Sequence, residues 1–316
     1  MLISVWGECM HFIYSLDNKR YHTLNYHLRK NFGRKIYKAV IDCGFSCPNI
    51  DGTKGTGGCI FCDGGSGYFT HSGLSVGNQL KKEYERISAK YGEVPIIAYF
   101  QANTNTYAPV EKLREIYFQA MEFPHVSGIS IGTRADCLSD EIIELLKDIS
   151  KKTYLTVELG MQTVHEETIS KINRCCTHKE FLDGYYKLKN AEIRTCLHMI
   201  NGLPNETPEM MLETARQTAL LKPDAVKIQM LHVIRGTALE KIYENFHLLT
   251  MEEYIDTVIG QLELLPPEIV IERITGDGDR RKLIAPLWTV NKIAVLGAID
   301  KKMNQLNTYQ GKNYNN

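Results

Sequence analysis

Short runs of β-branched, aromatic and other apolar residues recur along the chain, separated by longer segments whose apolar positions repeat with helical spacing. Such runs are typical of buried strands. The strands predicted in this way are Tyr37–Asp42, Ile96–Phe100, Ser127–Ile131, Tyr154–Glu158, Arg194–Met199, Ala225–Met230 and Ile269–Ile274. The helical pattern predicts helices at Val76–Tyr91, Val110–Met121, Asp140–Ile149, Glu166–Ile172, Lys179–Lys189, Pro208–Leu221 and Met251–Leu264.

Several predicted helices also carry a start signal. Ser139 and Thr250 stand at N-cap positions before acidic first-turn residues, and Thr207 precedes a proline at the first helical position. The regular alternation of strand and helix predicts parallel strands with right-handed crossovers, and six or seven units suit a complete or partial (β/α) barrel. Because chemistry in such barrels collects at the carboxyl ends of the strands, candidate residues are sought there.

Four of the nine cysteines follow the first predicted strand within twenty positions, spaced Cys43-x3-Cys47-x11-Cys59-x2-Cys62. The residues between them are rich in glycine and in other turn formers, which predicts a loop. Thiolates gathered in one loop are what a metal or iron–sulfur centre requires. Two interpretations are open: four thiolates closing a structural zinc site, or three thiolates holding a [4Fe-4S] cluster with one iron left open.

The composition and the N-terminal sequence predict the cellular environment of this loop. The chain has 316 residues, with 37 basic and 37 acidic side chains, and no run of about 18 uncharged apolar residues that predicts a membrane span. Residues 1–16 contain no Lys or Arg, so the positive start of a secretory signal is missing. We therefore expect a cytoplasmic protein, in which clustered cysteines stay reduced and favour metal binding over disulfides.

The charge is unevenly distributed along the chain. Residues 1–60 carry eight basic side chains against four acidic ones, and so do residues 270–316. One interpretation is solvated surface charge near the termini, and the other is a rim formed by both ends that contacts phosphate groups. Two interpretations are likewise open for Arg134 and Asp136, after the third predicted strand: an internal ion pair or a clamp for substrate.

The segment from Gly44 to Cys62, with Cys47-Pro48-Asn49, Asp51-Gly52-Thr53 and Gly57-Gly58-Cys59-Ile60-Phe61-Cys62, resembles the radical S-adenosylmethionine (SAM) superfamily. The resemblance is to proteins of the YhcC/YtqA type, related to the Elongator catalytic subunit and to coproporphyrinogen dehydrogenase, and it runs from about Arg20 to Ile299. It implies that Cys47, Cys59 and Cys62 bind a [4Fe-4S] cluster. Cys43 departs from this pattern, since the family usually has a small residue there.

The resemblance also implies contacts with SAM at three strand ends. Gln101, Thr104 and Asn105 match the block near the methionine amino group, Gln162 matches a ribose-binding motif, and Arg174 stands where an arginine pairs with the carboxylate. His198 occupies the position of a ribose-binding aspartate. It is therefore a candidate ribose contact, and a structural role is the alternative. The cofactor contacts implied in this way are Gln101, Thr104, Asn105, Glu158, Gln162, Arg174 and His198.

The implied fold is a partial (β/α)6-type TIM barrel of the radical SAM type at residues 36–275, with extensions at 1–35 and 276–316. The implied activity is reductive cleavage of SAM to methionine and a 5′-deoxyadenosyl radical, with flavodoxin or ferredoxin as electron donor. Kinship with the Elongator catalytic subunit makes the wobble uridine side chain of tRNA the leading substrate. A small-molecule or peptide substrate is the alternative, and a non-catalytic four-cysteine zinc protein that binds RNA is a rival of another class.

Overall fold

The computed structural model describes residues 12–64, 72–276 and 278–314. The first eleven residues of the predicted N-terminal extension and the last two of the C-terminal extension lie outside the described residues. The helices are α1 Leu24–Phe32, α2 Val76–Tyr91, α3 Val110–Met121, α4 Asp140–Ser150, α5 Glu166–Lys171, α6 His178–Asn190, α7 Pro208–Leu221, α8 Met251–Leu264 and α9 Lys292–Gln305. None of them is long and apolar enough to cross a membrane.

Seven parallel strands form one sheet in the order β1-β2-β3-β4-β5-β6-β8. The strands are β1 Tyr37–Ile41, β2 Ile96–Phe100, β3 Val126–Thr133, β4 Tyr154–Gln162, β5 Thr195–Asn201, β6 Ala225–Met230, β7 Val233–Ile234, β8 Val270–Arg273 and β9 Leu283–Ala285. The short strands β7 and β9 pair antiparallel beside the sheet. All seven predicted strands and all seven predicted helices are present, and the capping bonds of Ser139, Thr207 and Thr250 form as expected.

The sheet is curled into a partial barrel. β1 and β8 stand at opposite ends of the strand order, yet the Lys38 ammonium on β1 lies 2.8 Å from a carboxylate oxygen of Glu272 on β8. Residues just before α1 run beside β8, where the backbone N–H of Ile271 donates to the carbonyl of His22 at 2.8 Å. The predicted partial barrel is therefore confirmed, with seven strands in its sheet. The proposed domain boundaries at 36 and 275 stay a prediction.

Helix α1, which the apolar pattern does not predict, lies at the amino-terminal end of the strands. Its N-cap Thr23 accepts a hydrogen bond from the backbone N–H of Tyr26. Leu28 is 4% exposed and packs in a small cluster with Ile36 and with Ile97 near the start of β2. The helix thus covers the end of the barrel opposite to the loop that carries the cysteines.

This arrangement changes the interpretation of the basic N-terminal part. Arg34 donates to the carbonyl of Glu93, just before β2 begins, so it lies at the amino-terminal end of the barrel. Lys38 is inside the barrel, and Lys19 pairs with Asp300 of α9. These side chains do not form a common rim with the C-terminal segment at the cysteine-bearing end.

Replacing Leu28 by alanine tests the packing of α1. We expect the free energy of unfolding to fall by about 2–5 kcal/mol, the usual cost of truncating a fully buried leucine. Denaturant unfolding under anaerobic conditions measures it. Arg29→Ala on the same helix should unfold like the wild type, because Arg29 is exposed. An equal effect of both substitutions would contradict the role of Leu28 as a packed residue.

Candidate active site

The cysteines lie in an irregular loop at the carboxyl end of β1, which we call the cysteine loop (residues 42–64). Its backbone folds on itself: the N–H of Ile50 donates to the carbonyl of Cys47 at 2.8 Å, and the N–H of Cys62 to that of Cys59 at 2.9 Å. The N–H of Lys54 donates to the carbonyl of Pro48 at 2.8 Å. The turn residues seen in the sequence therefore build a compact loop at the end where barrel chemistry is expected.

A second segment, residues 172–176 after α5, binds the cysteine loop. The carbonyl of Ile172 accepts from the N–H of Ile60 at 3.0 Å. Asn173 has a positive φ of 50° and donates its side-chain amide to the carbonyls of Gly58 at 2.8 Å and Thr56 at 3.1 Å. We call this stretch the Asn173 segment. It anchors the cysteine loop on the residues that immediately precede Cys59.

Arg134 and Asp136 join the same assembly. The Arg134 guanidinium forms a two-pronged ion pair with Asp136, with bonds of 2.9 and 2.8 Å, so the internal ion pair is the arrangement observed. Arg134 also donates to the carbonyls of Arg174 at 2.7 Å and Cys175 at 3.0 Å. Burial disfavours the Asp136 carboxylate, but Arg134 and Lys54 outweigh it and hold its pKa below the usual value. The pair therefore supports the Asn173 segment.

Of the three thiols assigned to the cluster, those of Cys47 and Cys59 are partly buried and that of Cys62 is exposed. Burial, reinforced by the nearby Cys62, raises the pKa of Cys59 to about 11. Cys47 is an electrostatic neighbour of both. In the described parts of the chain no three acidic, His or Cys side chains are already arranged around a metal position. The assignment of Cys47, Cys59 and Cys62 as ligands therefore stays a prediction.

Cys43 has different surroundings. It packs against the main hydrophobic core, and its thiol has Asp42 of the loop and Lys112 of α3 as charged neighbours. Burial raises its pKa to about 12. This environment suits a packed thiol better than a fourth ligand.

The residues after β2 divide into two kinds. Asn105 donates its side-chain amide to the carbonyls of Ala102 at 3.0 Å and Gly132 at 2.9 Å, so it holds the ends of β2 and β3 together. The N–H of Gln101 donates to the carbonyl of Ile41 at 3.1 Å, at the end of β1. Thr104 is buried, and its hydroxyl has no hydrogen-bond partner. Of these three candidates, Thr104 thus keeps a free polar group for a ligand.

Gln162 and Arg174 also keep buried polar atoms that have no hydrogen-bond partner. Gln162 closes β4 with a positive φ of 66°, and its side-chain carbonyl is buried without a partner. Arg174 is 4% exposed, its guanidinium lies 5.4 Å from the ring centre of Phe181, and its Nη1 has no partner. Burial lowers its pKa, as expected for a cation that lacks a partner of opposite charge. A buried arginine in this state provides a site for an anionic group.

Thr104, Gln162 and Arg174 therefore test whether the residues present fit the implied cofactor. Each keeps a buried polar atom that no described protein atom satisfies, and such atoms are rare in folded proteins. A ligand with a carboxylate and hydroxyl groups would satisfy them. Together with three thiols in one loop at the same end of the barrel, they fit SAM beside an iron–sulfur cluster.

Below this site, half-way down the barrel, each strand of the seven-stranded sheet contributes one side chain to a buried polar layer. We call it the ionic layer; its members are Lys38, Tyr99, Ser130, Glu158, His198, Lys227 and Glu272. Glu158 is its centre and is fully buried. One carboxylate oxygen accepts from Lys38 at 2.8 Å and from Ser130, and the other accepts from Tyr99 at 2.9 Å, His198 at 2.8 Å and Lys227.

The charges of the ionic layer set its protonation. Burial opposes ionisation of Glu158, but the ammonium groups of Lys227 and Lys38 outweigh it and keep its pKa well below the usual value. Burial, and then Lys227, lower the pKa of His198, so the imidazole is neutral near pH 7. A carboxylate only accepts hydrogen bonds, so Nε2 of His198 must donate to Glu158. His198 therefore carries its proton on Nε2, and Nδ1 is the acceptor.

Sequence reasoning placed Glu158 and His198 among the SAM contacts, and that assignment stays a prediction. What the structure adds is that protein groups already occupy both oxygens of Glu158. The other five members of the layer were not predicted from the sequence: Lys38, Tyr99, Ser130, Lys227 and Glu272. The available signal was a polar or charged residue inside each apolar strand run, where an inward-facing polar side chain needs a partner.

Comparisons with known proteins agree with this geometry. A family described as "Radical SAM superfamily" matches residues 50–218, and one described as "Radical_SAM C-terminal domain" matches residues 223–305. The first match begins inside the cysteine loop and covers more than half of the chain. The chain belongs to the radical SAM superfamily and is an enzyme of that class.

Its relatives define the type within the superfamily. The chain is 47% identical over 305 residues to the protein YtqA of Bacillus subtilis, with 95% of each chain covered. It is 32% identical to the protein YhcC of Escherichia coli, with 88% of this chain and 90% of the other covered. The resemblance to the YhcC/YtqA type is thus confirmed. Elongator complex protein 3 of Mus musculus is 27% identical over 170 residues, which cover 51% of this chain and 30% of that protein.

Solved structures confirm the fold. The archaeal Elp3 of Methanocaldococcus infernus superposes with a TM-score of 0.67 at 17% identity, covering 87% of this chain and 64% of that one. Methylornithine synthase (PylB) superposes with a TM-score of 0.50 at 12% identity, covering 90% and 86%. At such low identity the likeness concerns the architecture alone.

Replacing Glu158 by glutamine tests the ionic layer. The substitution leaves two buried ammonium groups without their main counter-ion, so we expect a loss of about 3–5 kcal/mol in the free energy of unfolding at pH 7. Because the folded-state pKa of Glu158 is lowered, its stabilising effect is complete above the ordinary glutamate pKa of about 4.3 and is lost as the pH falls further. Denaturant unfolding of both proteins as a function of pH measures the difference.

The control for this prediction is Glu167→Gln, which removes the exposed ion pair with Lys171 and should leave stability unchanged. A difference between Glu158→Gln and the wild type that persisted unchanged at the lowest pH would contradict the lowered pKa.

Proposed function

We propose that this enzyme binds a [4Fe-4S] cluster through Cys47, Cys59 and Cys62 and binds SAM beside it. When bound, the cluster and SAM supply the one-electron cleavage that yields methionine and a 5′-deoxyadenosyl radical. The observation that carries the proposal is the buried Nη1 of Arg174, which has no hydrogen-bond partner, in the segment that anchors the cysteine loop. Ferredoxin or flavodoxin is the proposed electron donor.

The protein groups have defined tasks in this proposal. Arg174 donates from Nη1 to the carboxylate of SAM, and its desolvated surroundings strengthen that bond. The side-chain carbonyl of Gln162 accepts a hydrogen bond from a hydroxyl group of SAM, and the hydroxyl of Thr104 bonds a polar group of the same ligand. The barrel wall and α1 keep water from one end of the site, which protects a radical from side reactions.

We propose tRNA, modified at the wobble uridine side chain, as the substrate. The support is the sequence similarity to Elongator complex protein 3. The C-terminal segment adds exposed Arg280, Arg281 and Lys282 near the cysteine loop, where the Lys282 ammonium lies 3.5 Å from the Asp63 carboxylate. Cations at this end of the barrel can contact phosphate groups of an RNA whose base enters the site.

Anaerobic reconstitution with iron, sulfide, SAM and dithionite tests the chemistry. We expect the wild type and Cys43→Ala to hold a cluster and form 5′-deoxyadenosine, and Cys59→Ala to lose both, because Cys59 is a ligand and Cys43 is packed in the core. Iron and sulfide content and product chromatography are the measurements. A full cluster without 5′-deoxyadenosine from the wild type would refute the proposal, and stoichiometric zinc lost on Cys43→Ala would establish the four-cysteine zinc site.

Binding of tRNA as a function of salt tests the substrate. The double substitution Arg280→Ala/Arg281→Ala should weaken binding and reduce the slope of log affinity against log salt by about 1.4–1.8, because two phosphate contacts are lost. The matched double substitution Arg29→Ala/Lys30→Ala removes two cations from α1, at the other end of the barrel, and should bind like the wild type. Equal losses in the two variants, or a flat salt response, would contradict RNA binding at the cysteine-loop end.

A further inference from the structure

Asn49 belongs to the cysteine loop and links it to the Asn173 segment. It follows Cys47 by two positions and is fully buried. Its side-chain amide nitrogen donates to the backbone carbonyl of Asn173 and lies 3.7 Å from the sulfur of Cys59, within hydrogen-bonding range for a sulfur acceptor. One amide group thus contacts both a proposed cluster ligand and the segment that carries Arg174.

The position of this amide is fixed by close packing. A Cβ atom at Gly55 would lie 2.5 Å from the side-chain oxygen of Asn49 and 2.6 Å from the sulfur of Cys175. Only glycine leaves room for the Asn49 side chain there. On the other side, the amide of Asn173 holds the carbonyl of Gly58, the residue before Cys59. The donor on Asn49 and the acceptor on Cys59 are therefore both held in place by groups independent of their own contact.

We propose that Asn49 is a positioning residue that donates an N–H···S hydrogen bond to Cys59 and thereby raises the reduction potential of the cluster. The inference rests on the proposed function, since it assumes that Cys59 is a ligand. Reduction adds one electron and places more negative charge on the cluster and its sulfur ligands, so an amide hydrogen aimed at one of them stabilises the reduced state more than the oxidised state. Because the same amide is also bonded to the Asn173 carbonyl, it fixes the position of Cys59 relative to Arg174.

The experiment is a redox titration of the reconstituted protein with dithionite, with the reduced cluster detected by electron paramagnetic resonance. Asn49→Leu keeps the shape of the side chain and removes the donor. We expect its midpoint potential to be more negative, with the reduction equilibrium about tenfold less favourable, which corresponds to about 59 mV for one electron. Asn49→Asp also lacks the donor and adds negative charge, so it should shift the potential in the same direction.

Thr53→Val is the matched control within the cysteine loop. It breaks the 2.7 Å hydrogen bond between the hydroxyls of Thr53 and Tyr107, which involves no sulfur, and should keep the wild-type potential. The resonance signal comes only from molecules that hold a cluster. The potential is therefore measurable even when only a fraction of the variant molecules holds one. Unchanged potentials in both Asn49 variants, or an equal shift in Thr53→Val, would overturn the inference. A wild type that holds no cluster would instead overturn the proposed function.

Discussion

The buried carboxylate of Glu158 is the interaction on which the shape of the barrel depends. It accepts hydrogen bonds from side chains on β1, β2, β3, β5 and β6 while standing on β4 itself. In a flat sheet β1 and β6 would be five strand spacings apart, about 24 Å. Only a curled sheet brings Lys38 and Lys227 to one carboxylate, and a carboxylate without these partners could not remain ionised in the interior.

The ionic layer also separates the two ends of the barrel. Below it α1 packs Leu28 over the strand starts, and above it the cysteine loop and the Asn173 segment hold each other. Arg134 is bonded to both Asp136 and the carbonyls of the Asn173 segment, so the residues after β3 and those after α5 support one structure. Arg174, whose Nη1 has no hydrogen-bond partner, belongs to the Asn173 segment, and Gln162, whose side-chain oxygen has none either, lies at the carboxyl end of β4.

Much of this architecture could be predicted because it rests on local patterns. β2, β6 and α2 begin and end where the apolar pattern predicts, since strand and helix periodicities differ and turn residues bound them. Helix α1 escaped prediction because its apolar positions are few and its burial comes from strands distant in sequence. β7 has only two residues, too few to carry a pattern.

The sequence by itself determined the order of strands and helices, the place of the cysteine loop after the first strand and the resemblance that identifies the superfamily, because these follow from residue type and spacing along the chain. Only the tertiary structure decided that Lys38 lies inside the barrel rather than in a basic rim, that Arg134 pairs with Asp136, and that Asn49 is near the Cys59 sulfur. Lys38 meets carboxylates on strands distant in sequence, and the other two contacts form within loops that the Asn173 segment holds in place. Both depend on the curl of the sheet and on long-range packing, which spacing along the chain does not encode.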